Sequence, residues 1–276
     1  MEFRTLDPNM LTWFKTYIEF ARVGFVNILA YRLRYYTGVI TYLINVTVYY
    51  FIWRAIFLNS DHIEGFNLKQ MVTYVALGWI IRSFYFSTID QDMANDVMEG
   101  KISMTLIKPI HVQWSVIAQS LGESCFRLFL LTAPAAVVIS LVFPVSGPSS
   151  GVHFIAFFIS TVLSFFIVAT INFIFGTCAI RLKSIQGLLR AKYFLLELFS
   201  GLLIPISFFP RSFQRVLSYL PFQHISFTPV LIYLGKVQGG KIFELLAIQL
   251  FWAIVIFFLG EWWWARSIRR LSIQGG

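Results

Sequence analysis

The sequence predicts an all-α polytopic membrane protein. It should have six transmembrane helices, an N-terminal interfacial helix, a short polar helix between spans two and three, and proline-broken outer-leaflet helices between spans five and six. Three observations carry this expectation. Of 276 residues, 58% are hydrophobic and only 13% charged, whereas soluble domains carry roughly 25% charged residues. Apolar runs recur at the ~20-residue length that crosses a bilayer. The net charge of +9 collects at the ends of those runs, which points to membrane lipids rather than nucleic acid as the partner.

Residues 10–34 are apolar but carry Lys15, Glu19, Arg22, Arg32 and Arg34. Burying these near the bilayer centre would cost about 2.5–3.5 kcal/mol each. Trp13, Phe14, Tyr17, Ile18, Ala21 and Phe25 share one side at helical spacing, which suits a helix lying in the headgroup layer. A soluble amphipathic helix packed on the protein is the plainer alternative. The extreme N-terminus is acidic and lacks a small-residue cleavage site, so no cleaved signal peptide is expected.

Span one covers residues 36–58, and a polar loop with Asp61, His62, Glu64 and Gly65 follows. Span two covers 68–87. The stretch 88–109, TIDQDMANDVMEGKISMTLIKP, is a polar island. Thr88 and Gln91 have the spacing of a capping box, and Asp90 and Asp92 suit the positive end of the helix dipole. Ile89, Met93 and Val97 form one apolar face. Gly100 supplies the left-handed stop. Span three, 114–143, exceeds a single crossing and should tilt. Span four covers 152–180 after the uncharged turn PVSGPSSG. Span five begins after Arg190 and Lys192 and runs to about Phe208. Pro205, Pro210, Pro221 and Pro229 then punctuate an apolar run, predicting broken helices over 209–234 that survive at membrane depth only where protein shields them. Span six, 242–264, ends in Trp262, Trp263 and Trp264 and is followed by Arg266, Arg269 and Arg270.

Six spans put both termini on one side. That side carries Arg4, Lys15, Arg22, Arg32, Arg34, Lys101, Lys108, Arg181, Lys183, Arg190, Lys192, Arg266, Arg269 and Arg270, or 14 of the 22 Lys and Arg residues. The other side carries Arg54, Lys69, Arg211, Arg215, Lys236 and Lys241. The positive-inside rule makes the termini and the island cytoplasmic. With no linker and no repeat, residues 1–276 read as one membrane unit.

Four ionisable side chains fall within spans: Arg82, Glu123, Arg127 and Glu197. They either lock helix packing or line a polar route. Glu123 and Arg127 lie four apart and can pair, while Arg82 can instead reach Glu123. Glu197 can snorkel to the interface or face a cavity. Cys125 and Cys178 sit in apolar spans and read as small buried hydrophobes. No metal-ligand pair of histidines, no G-x-S-x-G and no phosphate-binding loop is present, so neither a catalytic nor a metal site is expected, and no cofactor is expected on this chain.

The acidic helix, Gly100 and the patch ending Leu106-Ile107-Lys108-Pro109 resemble the first cytoplasmic loop of ABC-2 type transporter permeases. Ala30-Tyr31-Arg32 is similar to the entry segment of the small six-span members. Gly201, Pro205, Pro210, Leu220-Pro221-Phe222 and Pro229 are similar to their proline-broken outer segment. The resemblance implies the membrane subunit of a bacterial ABC exporter in the cytoplasmic membrane. It would pair with a second permease chain, identical or related, and with two ABC ATPase subunits that hold ATP and Mg. The N-terminal helix would be the elbow-like connecting helix, and 88–109 the coupling helix that docks on the ATPase. In that reading Ile89, Met93 and Val97 form the apolar anchor, Asp92, Asp96 and Glu99 its acidic rim, and Gly100 its stop. The substrate would be an amphipathic molecule of unknown identity. Two other classes fit the composition. One is an ion- or proton-coupled carrier using Glu123; the other is a membrane-embedded lipid-modifying enzyme using the island carboxylates.

Overall fold

The computed structural model describes residues 10–30, 32–182 and 185–269. Arg4, Tyr31, Lys183 and Arg270 lie outside the described residues, as do the side chains of Ala30, Arg32 and Arg34. The described residues fold as helices α1 (Met10–Ala30), α2 (Arg32–Ile56), α3 (Leu68–Tyr85), α4 (Ile89–Met98), α5 (Ile102–Leu106), α6 (Val112–Arg127), α7 (Ala133–Val142), α8 (Gly151–Thr177), α9 (Gln186–Phe199), α10 (Arg211–Ser218), α11 (Phe227–Tyr233) and α12 (Gly240–Ile268). No strand forms among them beyond one isolated bridge, Ile63 to Phe66. Five stretches are long and apolar enough to cross a membrane: Thr37–Asn59, Leu68–Met98, Val112–Val142, Gly151–Ile180 and Gly240–Ile268.

Lipid tails are as apolar as leucine, so small and polar residues, rather than hydrophobicity, must select helix contacts here. The axis of the bundle, α8, shows this. Its buried face carries Ser160, Ser164, Thr170, Asn172 and Thr177 among large aliphatic and aromatic residues. Gln249 of α12 is fully buried and closes the network. Its amide nitrogen donates to the Ser160 carbonyl (2.7 Å) and the His224 carbonyl (2.8 Å), and its oxygen accepts from Ser160 Oγ (2.8 Å). A side chain of the last helix thus satisfies a carbonyl of the broken segment, as irregular backbone at membrane depth requires.

Helices α8 and α12 run in the same direction. Ala156, near the start of α8, packs with Val237 and Ile242 at the start of α12. At the other ends the Phe173 and Trp264 rings lie 5.5 Å apart. The chain between them is irregular, and here the sequence expectation needs correcting. The predicted fifth span does not continue as a helix to Phe208. α9 spans 14 residues, about 21 Å at helical rise, short of the ~30 Å hydrocarbon core. Gly201 then turns with φ 80°, and the Tyr74 hydroxyl donates to its carbonyl at 2.5 Å. Pro205 opens a 3-10 turn over Ile206–Phe208, and Pro210 precedes α10. Proline rings cannot sit inside a continuing helix, so the segment breaks there.

The third stretch is also composite. A π-helical turn, Leu128–Thr132, joins α6 to α7, with Pro134 in the first turn of α7. Helix α1 lies along α6 in the same direction: Trp13 meets Trp114 at 6.2 Å, and Phe25 meets Phe126 at 5.2 Å. The backbones touch. A Cβ on Gly122 would lie 1.7 Å from the Ala21 carbonyl oxygen, and one on Gly24 would lie 2.1 Å from that of Gln119. The aromatic trio at the end of α12 splits: Trp264 is buried, while Trp262 is exposed beneath Arg266.

Candidate functional site

The polar island forms two short helices, α4 and α5, joined at Gly100 with φ 76°. The capping box expected at Thr88 and Gln91 is absent. Thr88 has φ −98° and ψ 13° and makes no side-chain cap, because it has already left the extended conformation that aims an N-cap oxygen at the helix. Ser87 substitutes, its Oγ accepting from the Ile89 N–H at 3.3 Å. Gln91 instead bonds Asn95 (3.0 Å). A complete capping box forms elsewhere, at Asn67 and Gln70 before α3.

The apolar stripe of α4 is real, but it faces the opposite way from the sequence expectation. Ile89 and Met93 are buried with Phe173, Val112, Val116 and Trp264 of the chain's own long helices. Val97 is half-buried between this cluster and a second one formed by Ala94, Ala179, Ile185 and Leu189. Gly176 lets α4 lie against α8: a Cβ there would stand 3.0 Å from Met93 Cβ and 3.2 Å from Asp90 Cα. These side chains are committed inward, and Ile89 and Met93 present almost no surface outward. Asp92, Glu99 and Gly100 are exposed and Asp96 is half-buried. Exposed apolar side chains do occur, one turn further on: Met98 (55% exposed), Met104 (67%) and Ile107 (81%). Between Met98 and Met104 in sequence lies the surface pair Glu99–Lys101 (2.5 Å). Glu99 pushes the Lys101 ammonium above the usual lysine range, chiefly through their hydrogen bond.

Sequence reasoning missed what fastens α4 to the bundle. Asp90 is fully buried and pairs with Lys192 of α9, which is itself buried. Lys192 also donates to Asn172 Oδ1 of α8 (2.6 Å). The neighbouring Tyr193 hydroxyl donates to Asp90 Oδ1 (2.7 Å) and lies 3.0 Å from the Ser87 carbonyl. The Lys192 ammonium thus joins α9 to Asp90 of α4 and to Asn172 of α8. From the sequence, Lys192 read as one of many flanking cations and Asp90 only as a helix-dipole residue. The usable signal was that Asp90 shares a helical face with Met93, Ala94 and Val97, and a carboxylate within an apolar stripe needs a buried partner.

The four intraspan charges resolve into two pairs. Arg82 binds Glu197 rather than Glu123, with Nε at 2.7 Å and Nη2 at 2.6 Å from Oε1. The Trp79 and Phe86 rings flank its guanidinium, centroids 5.1 and 4.9 Å away. Arg127 lies 3.6 Å from Glu123, which also accepts from the Ser87 hydroxyl at 3.3 Å. Helix α9 therefore carries both Lys192, the partner of the island, and Glu197, the partner of Arg82. Among the described residues, no group of three or more His, Cys, Asp or Glu side chains is placed to hold a metal.

The arrangement is mechanical: a surface helix pair bolted by buried polar contacts to membrane-length helices. A family model described as ABC-2 family transporter protein matches residues 43–275, which include the island, both charge pairs and the proline-broken segment. No curated protein matches the chain significantly. The chain is thus a multi-pass membrane protein that belongs to the ABC-2 family of transporter membrane subunits.

Proposed function

We propose that this chain is the permease of an ATP-driven exporter in the bacterial cytoplasmic membrane, and that α4–α5 is the surface on which a separate ATPase acts. The ATPase would hold ATP and Mg. A second permease chain, identical or related, would complete the translocation path for an amphipathic substrate. Residues 1–276 act as one unit in this reading, with α1 as the connecting helix. The observation that carries the proposal is the exposed ridge of Met98, Met104 and Ile107 on a helix pair anchored through Asp90 to α8 and α9. Apolar anchors ringed by charges are what a docking surface needs. Force applied to the ridge would pass through the buried pair Asp90–Lys192 to α9, and from there through Glu197 to Arg82.

Six crossings, with both termini and the island cytoplasmic, are part of the same reading. The parallel course of α8 and α12 supports a return of the chain across the membrane between them. The segment from α9 to α11 supports this: it begins beside Ala94 and Ala179 and ends where the Ser149 N–H donates to the Tyr233 carbonyl (3.1 Å), beside the turn before α8. A gradient-driven carrier using Glu123 is the weaker reading, since Glu123 already faces Arg127.

The test is co-purification with the partner ATPase that this reading requires. Wild type should retain it, and Met104→Asp with Ile107→Asp should release it while the permease stays folded. Transport that persists without ATP, or an ATPase that stays bound to the double variant, would overturn the assignment.

A further inference from the structure

Between α2, α3 and the π-helical turn lies a cavity of about 380 Å³, within the range of ligand sites. Its wall is unlike the rest of the bundle. Two guanidinium groups, Arg82 and Arg127, reach it, and among the described residues no carboxylate lines it. Their partners, Glu197 and Glu123, stand outside the lining. Glu197 engages Nε and Nη2 of Arg82, and a guanidinium offers five N–H donors in a fixed fork. Ser83 and Thr132, hydrogen-bonded to each other, add hydroxyls to the same wall.

The rest of the lining is largely apolar and aromatic, with Trp79, Phe86, Tyr42 and Leu131. Trp79 and Phe86 hold the Arg82 guanidinium between their faces. Of the lining residues, Thr37, Gly38 and Thr41 on α2 are exposed and mark the mouth, and α2 exposes Ile40 and Ile44 close by. A polar end and a greasy exit therefore share one cavity. The π-turn contributes Leu131 and Thr132; single π-turns inside helices recur at functional sites.

We infer that this cavity binds the anionic head group of an amphiphile, a phosphate, sulfate or carboxylate, with its hydrocarbon tail leaving along α2. Arg82 and Arg127 bind the head, because planar guanidinium forks match such anions. Arg82 lies in the last turn of α3, which ends at Tyr85 just before the island helix α4, a position suited to a head group on the island side of the bilayer. The head can come from a membrane phospholipid or from a transported molecule. Only the second source rests on the permease reading.

The experiment uses the purified chain in phosphatidylcholine nanodiscs without any ATPase, so failure of ATPase docking does not bear on it. Dodecyl phosphate is titrated by native mass spectrometry, with dodecyltrimethylammonium as the charge-reversed control. Saturable binding of the phosphate alone is expected. Arg82→Gln and Arg127→Gln should each weaken it about tenfold or more. Gly38→Trp should block it by filling the mouth, and it leaves the charge pairs intact because a Cβ at Gly38 meets nothing within 4 Å. Repeating the titration in phosphatidylglycerol nanodiscs separates the sources. Competition supports a lipid head group, and undiminished binding supports a transported amphiphile. Absence of saturable binding, equal binding of the cation, or full binding by Gly38→Trp overturns the inference. So does loss of self-association in Gly38→Trp without any phosphate binding, since a second copy would then occupy the mouth.

Discussion

Replacing Lys192 by Met tests whether the island is bolted to the bundle. Asp90 has no exposed surface, and Lys192 is its only cationic partner among the described contacts. Without the ammonium, Asp90 keeps the Tyr193 hydroxyl, and Asn172 Oδ1 loses its donor. Stranding a buried charge in this way costs about 3–5 kcal/mol, which scales to a fall in melting temperature on the order of 10 °C. The cost lies in the stranded partner rather than in the pair, because a pair's attraction is largely cancelled by its own desolvation. Asp90→Leu together with Lys192→Met should therefore melt closer to wild type than Asp90→Leu or Lys192→Met alone. Thermal unfolding of all four proteins in one detergent closes the cycle. Additive losses, or a Lys192→Met protein as stable as wild type, would refute the reasoning.

Other consequences are as direct. Gly122→Leu drives a side chain into the Ala21 carbonyl and should separate α1 from α6; a disulfide between Trp13→Cys and Trp114→Cys, efficient in a Cys125→Ser, Cys178→Ser background, should then fail. Gln249→Leu removes the amide that donates to the Ser160 and His224 carbonyls, leaving only Ser164 Oγ on the latter, and should destabilise the protein by about 1–3 kcal/mol, read as faster proteolysis between α10 and α11. The pair Arg82→Glu with Glu197→Arg should recover stability that either single change loses, measured by melting. Six crossings predict that Gly100→Cys labels only from the cytoplasmic face and Gly147→Cys only from outside; labelling of both from one face contradicts that topology.

The apolar stretches, the island and the proline breaks were legible because each is written in consecutive residues. Length identifies a long helix, Gly100 a left-handed stop, and Pro205 and Pro210 a broken segment. What was not legible depends on pairing across distance. Periodicity identified Ile89, Met93 and Val97 as one face of α4 but could not say what covers it. The covering surface comes from Gly176, Phe173 and Trp264, remote in sequence. The Asp90–Lys192 contact joins residues 102 positions apart. Arg82 had two carboxylates within plausible reach, and only the course of α9 selects Glu197. Thr88 had the right spacing for a cap and the wrong backbone conformation, which spacing does not encode.

The central claim is that an ATPase acts on the outward ridge of α4–α5 rather than on the inward stripe. The most direct test is the affinity of the ATPase for nanodisc-embedded permease carrying Met104→Asp and Ile107→Asp. Loss of two exposed apolar anchors should weaken binding about tenfold or more, with the melting temperature unchanged because neither side chain is buried. Wild-type affinity in that variant would contradict the account.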